Sequence, residues 1–322
     1  MFVTGGTGFL GARLIQRLVR EGHQVRALAR SASSAEMLRH LGAQPVHGSL
    51  DNVAEWADSL RGQDVVIHCA APVEFWGPWE KFHREITLAT RQLLDHAARM
   101  QVGRFIYISS ESVLQDTTPL VGIDETFPYP AEPNSYYGKA KKLAEIEVVN
   151  HRSEMTCIIL RPTYIWGKGE KTSKNIEDKI KAGQFAWIDQ GRCIIEMVHV
   201  DNVVEAIMLA CAVGRDKQIY FVTDDAPVSF REFFTALLAT RGIVPPSRSL
   251  PQLIARPAAT LAEGIWRGLR LKSPPPLSRF EWSFVALPRA YKLNKIKQEL
   301  GYRPIVSREM GLQEMQAHAN EV

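Results

Sequence analysis

Three groups of residues in this 322-residue chain have types and spacings suited to acting together in one reaction. Tyr137 and Lys141 stand four apart in Tyr137-Gly138-Lys139-Ala140-Lys141, so on a helix they share one face and reach into the same cleft. An unperturbed phenol titrates near ~10 and exchanges protons poorly at neutral pH, whereas a neighbouring ammonium favours the phenolate and lowers that value. The pair is therefore an acid/base candidate. The second group is Ser109, Ser110 and Ser112, which end the apolar run Ile106-Tyr107-Ile108. Hydroxyls at a strand end can hold a substrate oxygen, and at least one of the three is expected to cap a turn instead. The third group is Gly5, Gly6, Gly8 and Gly11, between an apolar strand at Met1–Thr4 and a helical pattern beginning at Leu10. Both a G-x-G-x-x-G spacing (Gly6, Gly8, Gly11) and a G-x-x-G-x-x-G spacing (Gly5, Gly8, Gly11) fit. Glycines there permit a tight turn and close approach of backbone to a pyrophosphate, and a helix N-terminus offers unpaired N–H groups to it. A bound dinucleotide is the expectation.

The second strand bears on which dinucleotide. An acid that holds an NAD ribose belongs ~20 residues past the glycines. The chain there reads Val25-Arg26-Ala27-Leu28-Ala29-Arg30-Ser31, with no carboxylate. Arg30 stands where a 2′-phosphate would lie, and a planar guanidinium suits bidentate phosphate contacts. NADP is the expected cofactor, with NAD possible.

Positioning these groups requires alternating strands and helices. Apolar runs predict strands at Val25–Ala29, Pro45–His47, Asp64–Cys69, Arg104–Ser109, Thr156–Leu160 and Ile219–Val222. Three- and four-residue apolar spacing predicts helices at Ala12–Arg20, Ser34–Leu41, Asn52–Leu60, Ile86–Met100, Tyr137–His151 and Val200–Ala212, the last opened by Asp201 as N-cap. The expected fold class is α/β: a Rossmann-type doubly wound parallel sheet of about seven strands with a smaller, mostly helical substrate lobe. Residues 1–167 and 197–223 are expected to form the dinucleotide-binding domain, and 168–196 with 224–322, richer in proline and aromatics, the substrate lobe.

Composition narrows the partners. Hydrophobic residues make up 45% and charged residues 23%, the balance of a water-facing globular enzyme. An excess of 39 basic over 35 acidic side chains is small and scattered, which argues against nucleic acid. Cys69, Cys157, Cys193 and Cys211 sit singly in apolar stretches, as buried thiols of a reducing compartment do. The glycine-rich strand opens the sequence without room for a signal peptide, and no apolar run reaches the ~18 residues of a membrane span, so a cytoplasmic location is expected. The nine histidines show no metal-ligand spacing, and His199 reads as a structural residue beside a helix. The run Trp166–Thr172 lacks the Gly-Lys-Thr order of a P-loop. Ile254, Ala258, Leu261, Ile265 and Leu269 form an apolar stripe beside Arg256, Arg267, Arg270 and Lys272. A lid or core-facing helix is the first reading of it and a membrane-surface helix the second, with Pro257 and Gly264 weakening any long helix.

Taken together, Thr4–Gly11, His68-Cys69-Ala70-Ala71, Ser109–Val113, Tyr137–Lys141, Leu160-Arg161-Pro162, Val198-His199-Val200-Asp201 and Leu300-Gly301-Tyr302-Arg303-Pro304 resemble the extended short-chain dehydrogenases/reductases of the epimerase/dehydratase superfamily. The resemblance is nearest to the 3β-hydroxysteroid-dehydrogenase-like branch and covers essentially the whole chain. It implies Tyr137 as the acid/base, Lys141 on the ribose hydroxyls and tuning Tyr137, and Ser110 on the substrate oxygen with Ser109 as the alternative. It further implies a cofactor lying along Gly5, Thr7, Gly8, Phe9, Leu10 and Gly11, beside Arg30, Ser49 and Leu50, across Ala70, Ala71 and Ile108, and against Pro162 and Thr163. A homodimer built on the helices at Ile86–Met100 and Tyr137–His151 is implied as well. The chain departs from the family pattern at Gly48-Ser49-Leu50, where Gly-Asp-Leu is usual, and at Ile86-Thr87-Leu88-Ala89-Thr90, where Asn-Val-x-Gly-Thr is usual. The strand-two aspartate of the NAD-using steroid enzymes corresponds to Ala29.

The resemblance leaves three functions: an NADP(H)-dependent oxidoreductase of a secondary alcohol/ketone pair, a nucleotide-sugar epimerase or dehydratase, and a non-catalytic dinucleotide sensor. Intact Ser110, Tyr137 and Lys141 speak against a sensor, and Ser110-Glu111-Ser112 lacks the paired acids of dehydratases. Tyr164 stands where nucleotide-sugar enzymes carry asparagine. With Phe75, Trp76, Trp79, Phe185, Trp187 and Trp266 in loops and lobe, it points to an apolar, steroid-like or long-chain substrate.

Overall fold

The computed structural model describes residues 1–72, 74–171 and 173–319; Val73 of the aromatic loop and Thr172 of the glycine–lysine run lie outside them. Seven strands form one parallel sheet: β1 (Phe2–Thr4), β2 (Arg26–Ala29), β3 (Gln44–His47), β4 (Val65–His68), β5 (Arg104–Ile108), β6 (Thr156–Pro162) and β7 (Gln218–Val222). Their order is β7-β6-β5-β4-β1-β2-β3. The sequence explains why they are buried on both faces. Along β5, Phe105 and Tyr107 enter one apolar layer while Ile106 and Ile108 enter the other. All four residues of β4 are buried. Such continuous apolar runs belong to sheets with helices on both sides.

Helices α1 (Phe9–Arg20), α2 (Ala32–His40) and α6 (Val200–Val213) cover one face, and α3 (Ala89–Arg99) and α4 (Tyr136–Asn150) the other. Outside this body lie α5 (Lys174–Lys181), α7 (Phe230–Ala239), α8 (Gln252–Gly268) and α9 (Arg279–Ala286). Helix α10 (Asn294–Leu300), expected in the small lobe, instead buries Ile296 and Leu300 in the layer of α6, and α11 (Arg308–Ala319) ends the described chain. An aromatic cluster of Phe185, Trp187, Phe230, Phe233 and Phe234 packs α7 against the segment after α5. The strand order reverses between β1 and β4, so a crevice opens beyond their carboxyl ends, where ligands of doubly wound sheets bind.

Several expectations are corrected. The helix predicted over Asn52–Leu60 is two 3-10 turns, Leu50–Glu55 and Ala57–Leu60, with Asn52 outside helical geometry. Trp56 imposes this, because its ring stacks on Phe2 of β1 at 5.3 Å while its indole donates to the Ser49 carbonyl at 2.8 Å. The N-cap of α6 is His199, whose Nδ1 accepts from the Asp201 N–H at 3.3 Å, so Asp201 lies inside the first turn. Before α3 the chain makes a π turn at His83–Leu88. Where the family carries asparagine this turn holds Ile86, and Thr87 supplies a tie by donating to the Ala140 carbonyl of α4 at 3.0 Å. Helix α8 runs unbroken through Pro257 and Gly264. The carbonyl that Pro257 leaves unpaired belongs to Leu253, on a face open to water. Eight short strands among the described residues escaped the sequence reading; of these, Leu120–Ile123 and Arg289–Tyr291 pair with each other outside the main sheet.

One ion pair fixes α4 to the end of β6. Arg161 Nε donates to Glu145 Oε1 at 3.0 Å and Nη2 to Oε2 at 2.6 Å, with the residues 1% and 0% exposed. The Tyr129 hydroxyl donates to the same carboxylate at 2.6 Å. Arg161→Met strands a buried carboxylate and is expected to lower the unfolding free energy by about 3–5 kcal/mol in a urea titration. Adding Glu145→Leu removes the stranded charge and should restore most of that loss. A single variant within about 1 kcal/mol of wild type would show that the pair is not needed to hold α4.

Candidate active site

The glycines of the turn differ in what they lie against. Gly5 takes a left-handed φ of +72°, and a Cβ on it would lie 2.8 Å from the Ala70 nitrogen. A Cβ on Gly11 would lie 2.1 Å from the Gly5 carbonyl oxygen. Gly6 instead faces Ile15 and Leu38 in the core. Gly5, Gly8 and Gly11 are thus the glycines of this turn that lie against backbone, and Gly6 lies against side chains. Helix α1 opens without a side-chain cap and without an acid in its first turn, so its first N–H groups face the crevice unneutralised. Thr7 and Gly8 are exposed there, Phe9 is half-buried and Leu10 is buried.

The strand ends bring the other expected contacts to the same crevice. Arg30 is exposed directly after β2 and makes no ion pair among the described residues. Beside it Ser31, Ser33 and Ser34 form a hydroxyl group at the start of α2, with Ser31 accepting from the Ser34 N–H at 3.1 Å. Ser49 and Leu50 follow β3, and the Ser49 hydroxyl is taken up by Asp51 at 3.0 Å. Ala70 and Ala71 follow β4, half-buried, and the Ala70 N–H donates to Thr4 Oγ1 at 3.3 Å. Pro162 ends β6, and Thr163 and Ser109 each bury a hydroxyl that has no partner among the described residues. A glycine cradle with two orphaned hydroxyls at adjoining strand ends fits a dinucleotide.

His68 sits behind this crevice and is neutral. Thr4 Oγ1 lies 2.7 Å from Nδ1, and Nε2 lies 3.2 Å from Thr90 Oγ1, which donates to the Ile86 carbonyl at 2.6 Å. Because the Thr90 proton goes to the Ile86 carbonyl, Nε2–H donates to Thr90, and Nδ1 of the neutral ring accepts the Thr4 proton. Burial, with the Lys141 charge adding to it, drives the His68 pKa down to about 3. The sequence reading named His68 only as part of a motif; its role is to tie β1, β4 and α3 together.

Ser110, Tyr137 and Lys141 converge as expected. Ser110 caps the 3-10 turn Glu111–Leu114 by accepting from the Ser112 N–H at 3.2 Å, and its hydroxyl is also hydrogen-bonded to Tyr137. Lys141 is 2% exposed, donates to the Ile108 carbonyl at 2.7 Å and lies 6.0 Å from the centre of the Tyr137 ring. Ile108 thus serves the site through its carbonyl. The expected lowering of the Tyr137 pKa is not found in the protein alone. Burial raises it, the Glu111 carboxylate raises it further, and only the hydrogen bond to Ser110 opposes them. Lys141 is lowered to about 8, by burial against the smaller upward pulls of Cys69 and Glu145.

The rings predicted to line a substrate pocket divide. Trp187 and Phe185 are buried in the small-lobe core, with the Trp187 indole donating to the Pro246 carbonyl at 2.8 Å. Tyr164 packs edgewise on Phe234 and donates its hydroxyl to Glu170 at 2.9 Å. Trp79 packs on His83 and Tyr136. Trp266 is only half-buried on α8. Phe75 does reach the site: it lies edge-on to Tyr137 at 5.3 Å and stacks on Phe280 of α9 at 4.7 Å. Trp76 donates to the Leu271 carbonyl at 3.3 Å, under the Arg267 guanidinium. Phe280 and Arg267 were not foreseen as neighbours of the site, because sequence spacing says nothing of a loop after β4 meeting α8 and α9. Glu145 was missed too, although its place four residues after Lys141 puts it on the same helix face.

A Rossmann sheet with a Ser/Tyr/Lys cluster at its crevice suits a nicotinamide-dependent enzyme, and comparison with known proteins narrows the class to dehydrogenase or reductase. Residues 2–252 match the model of the 3-beta hydroxysteroid dehydrogenase/isomerase family. The chain is 37% identical over 315 residues to the 4-hydroxy-2-methyl-3-oxo-4-farnesyl-3,4-dihydroquinoline-1-oxide ketoreductase of Stigmatella aurantiaca, covering 97% of this chain and 94% of that one. It is 29% identical to the decarboxylating sterol-4-alpha-carboxylate 3-dehydrogenase of Dictyostelium discoideum, covering 98% and 99%. In fold it is similar to the dTDP-glucose 4,6-dehydratase of Streptomyces venezuelae, with a TM-score of 0.76, 23% identity and coverage of 99% and 96%. The chain belongs to the 3-beta hydroxysteroid dehydrogenase/isomerase family and is an NAD(P)-dependent dehydrogenase or reductase.

The lowered Lys141 pKa has a consequence for stability. Between about 8 and the ordinary 10.5 the unfolded chain holds a proton on this lysine that the folded chain has released, so stability rises with pH across that window. Lys141→Met should flatten the rise, measured as unfolding free energy between pH 7.5 and 10.5, by about 3 kcal/mol at its upper end. An unchanged slope would refute the buried ammonium as its source.

Proposed function

We propose that this protein is an NADP(H)-dependent ketoreductase or secondary-alcohol dehydrogenase acting on an apolar, steroid-like or long-chain substrate. The observation that carries the reading is the Tyr137 phenol, hydrogen-bonded to Ser110, beside the Lys141 ammonium and beneath the ring of Phe75. Ser110 orients the substrate oxygen, and Tyr137 donates a proton to it during reduction or takes one during oxidation. A phenol held protonated by burial and by the Glu111 charge is in the donating state. Lys141 holds the ribose hydroxyls and supplies positive charge as the phenolate forms. The nicotinamide, when bound, supplies or accepts the hydride.

NADP over NAD is supported by Arg30, exposed without an ion-pair partner among the described residues, and by the neighbouring hydroxyls of Ser31, Ser33 and Ser34. Glycines 5, 8 and 11 and the strand-end residues already described would bear on the rest of the dinucleotide. An apolar substrate is supported by Phe75 and Phe280 at the cleft, and by the farnesylated and sterol compounds in the relatives' names. A nucleotide sugar is disfavoured by Tyr164, whose ring is packed against Phe234 and whose hydroxyl is occupied by Glu170. A homodimer through α3 and α4 would meet a polar face, where Arg91 faces Glu147 at 3.9 Å and His151 faces Asp95 at 3.7 Å.

Arg30→Ala is expected to weaken NADPH by about ten- to a hundredfold in a fluorescence titration and to leave NADH nearly unchanged. Tighter NADH than NADPH binding in the wild type would overturn the cofactor assignment. Tyr137→Phe should still bind NADPH while turnover of a lipophilic ketone falls by about 10²–10⁴. A near wild-type rate in that variant rules out Tyr137 as the proton donor.

A further inference from the structure

Helix α8 turns Ala255, Ala259 and Glu263 inward at four-residue spacing and leaves its larger apolar side chains in water. Leu253, Ile254, Leu261 and Ile265 are 89%, 60%, 67% and 45% exposed, and Leu269 just beyond the helix is 67% exposed. At 3.6 residues per turn these positions, with Pro257 and Ala258 between them, cover an arc of roughly 160°. Single exposed leucines are ordinary, but a continuous apolar stripe on a folded chain marks a surface for something else. A core-facing helix would bury this stripe, and the structure leaves it in water.

Charge tells what would cover it. Residues 243–280 carry six basic side chains, Arg248, Arg256, Arg267, Arg270, Lys272 and Arg279, against one acid, Glu263. The excess in this one segment is larger than the +4 of the whole chain. Glu263 is itself buried and bound by Arg267 at 3.0 Å and by the Arg279 N–H at 2.9 Å, so no carboxylate of this segment faces out. Arg248 is spent on the Gly183 and Phe185 carbonyls, and Arg267 and Arg279 on Glu263, which leaves the exposed Arg256, Arg270 and Lys272 as the basic group of this segment. A second copy docking by two-fold symmetry would set that group against itself. An anionic lipid surface receives both features, apolar side chains below the headgroups and basic ones among them. No helix among the described residues is long and apolar enough to cross a membrane, so the geometry is that of a helix lying in the interface.

The C-terminal end of α8 also reaches the cleft. The carbonyl of Leu271 holds the Trp76 indole, Arg267 stacks on Trp76 at 4.6 Å and on Tyr136 at 4.1 Å, and Phe280 packs on the Phe75 ring beside Tyr137. We propose that α8 and the segment to Lys272 seat this protein on an anionic lipid bilayer, with the mouth of the Tyr137 cleft at the membrane surface. An apolar ketone then enters from the lipid phase; only this delivery step rests on the substrate class proposed above.

The test is flotation of the full chain with vesicles of phosphatidylcholine alone or with phosphatidylglycerol as one third of the lipid. Wild type should float with the anionic vesicles, less at high salt, and weakly with the zwitterionic ones. Leu261→Ser with Ile265→Ser should weaken binding by more than about tenfold. Arg270→Gln with Lys272→Gln should weaken it by roughly fivefold for each charge removed. Both double variants should keep the wild-type melting temperature and NADPH-dependent turnover of a short, water-soluble ketone. The proposal fails if wild type stays with the soluble fraction, or if the serine variant floats as wild type does. It also fails if sedimentation without vesicles shows a dimer that the serine variant converts to monomer, because the stripe is then an interface between copies. Vesicle binding without turnover of any lipophilic ketone supports the docking surface and overturns the substrate class instead.

Discussion

The site depends on one face of one helix. Tyr137, Lys141 and Glu145 follow at four-residue spacing along α4, and the last of them is locked to Arg161 at the end of β6 with both side chains out of water. This bidentate pair sets the height of the helix against the sheet edge from which the Ser110 and Ile108 contacts come. A surface ion pair would not serve, because water competes for both partners. Among the described residues the buried carboxylate has only Arg161 and Tyr129 to satisfy it, so α4 has one position in which its charges are paired.

The same low-dielectric surroundings assign protonation states around the crevice. His68 is held neutral by burial within a threonine network, and Tyr137 is held protonated. Lys141 is the cation whose charge burial opposes most directly, and one backbone carbonyl accepts from it. A phosphate-bearing ligand in the crevice changes that balance, since negative charge nearby favours the ammonium. The resting protein thus holds a protonated phenol and a reluctantly charged lysine together, with the lysine nitrogen 6.0 Å from the ring centre.

The small lobe plays two parts that its aromatic content alone does not separate. Phe185, Trp187, Phe230 and Phe234 build its core, while Phe75, Trp76 and Phe280 join it to the loop after β4 above Tyr137. Helix α8 belongs to the joining part: its inward face is made of alanines and a paired glutamate, and its outward face is leucine and isoleucine. That inversion of the usual amphipathic order is why the lobe shows a surface fit for contact beside the cleft.

The sequence by itself determined the parallel seven-stranded sheet, because runs such as Val65–His68 and Thr156–Leu160 are apolar on both faces and suit no half-exposed strand. It also determined the convergence of Ser110, Tyr137 and Lys141, since strand ends and helical spacing fix those positions locally. Tertiary structure decided the rest. The 3-10 turns at Leu50–Leu60 follow from Trp56 stacking on Phe2, residues far apart in the chain. The need for glycine at Gly5 follows from the approach of Ala70 across the sheet. The raised Tyr137 pKa follows from burial and from Glu111, which no spacing rule places near it. The division of aromatic rings between core and cleft, and the exposure of the α8 stripe, were likewise beyond local pattern. Periodicity reports that a face is apolar, and only the packing of distant segments decides whether anything covers it.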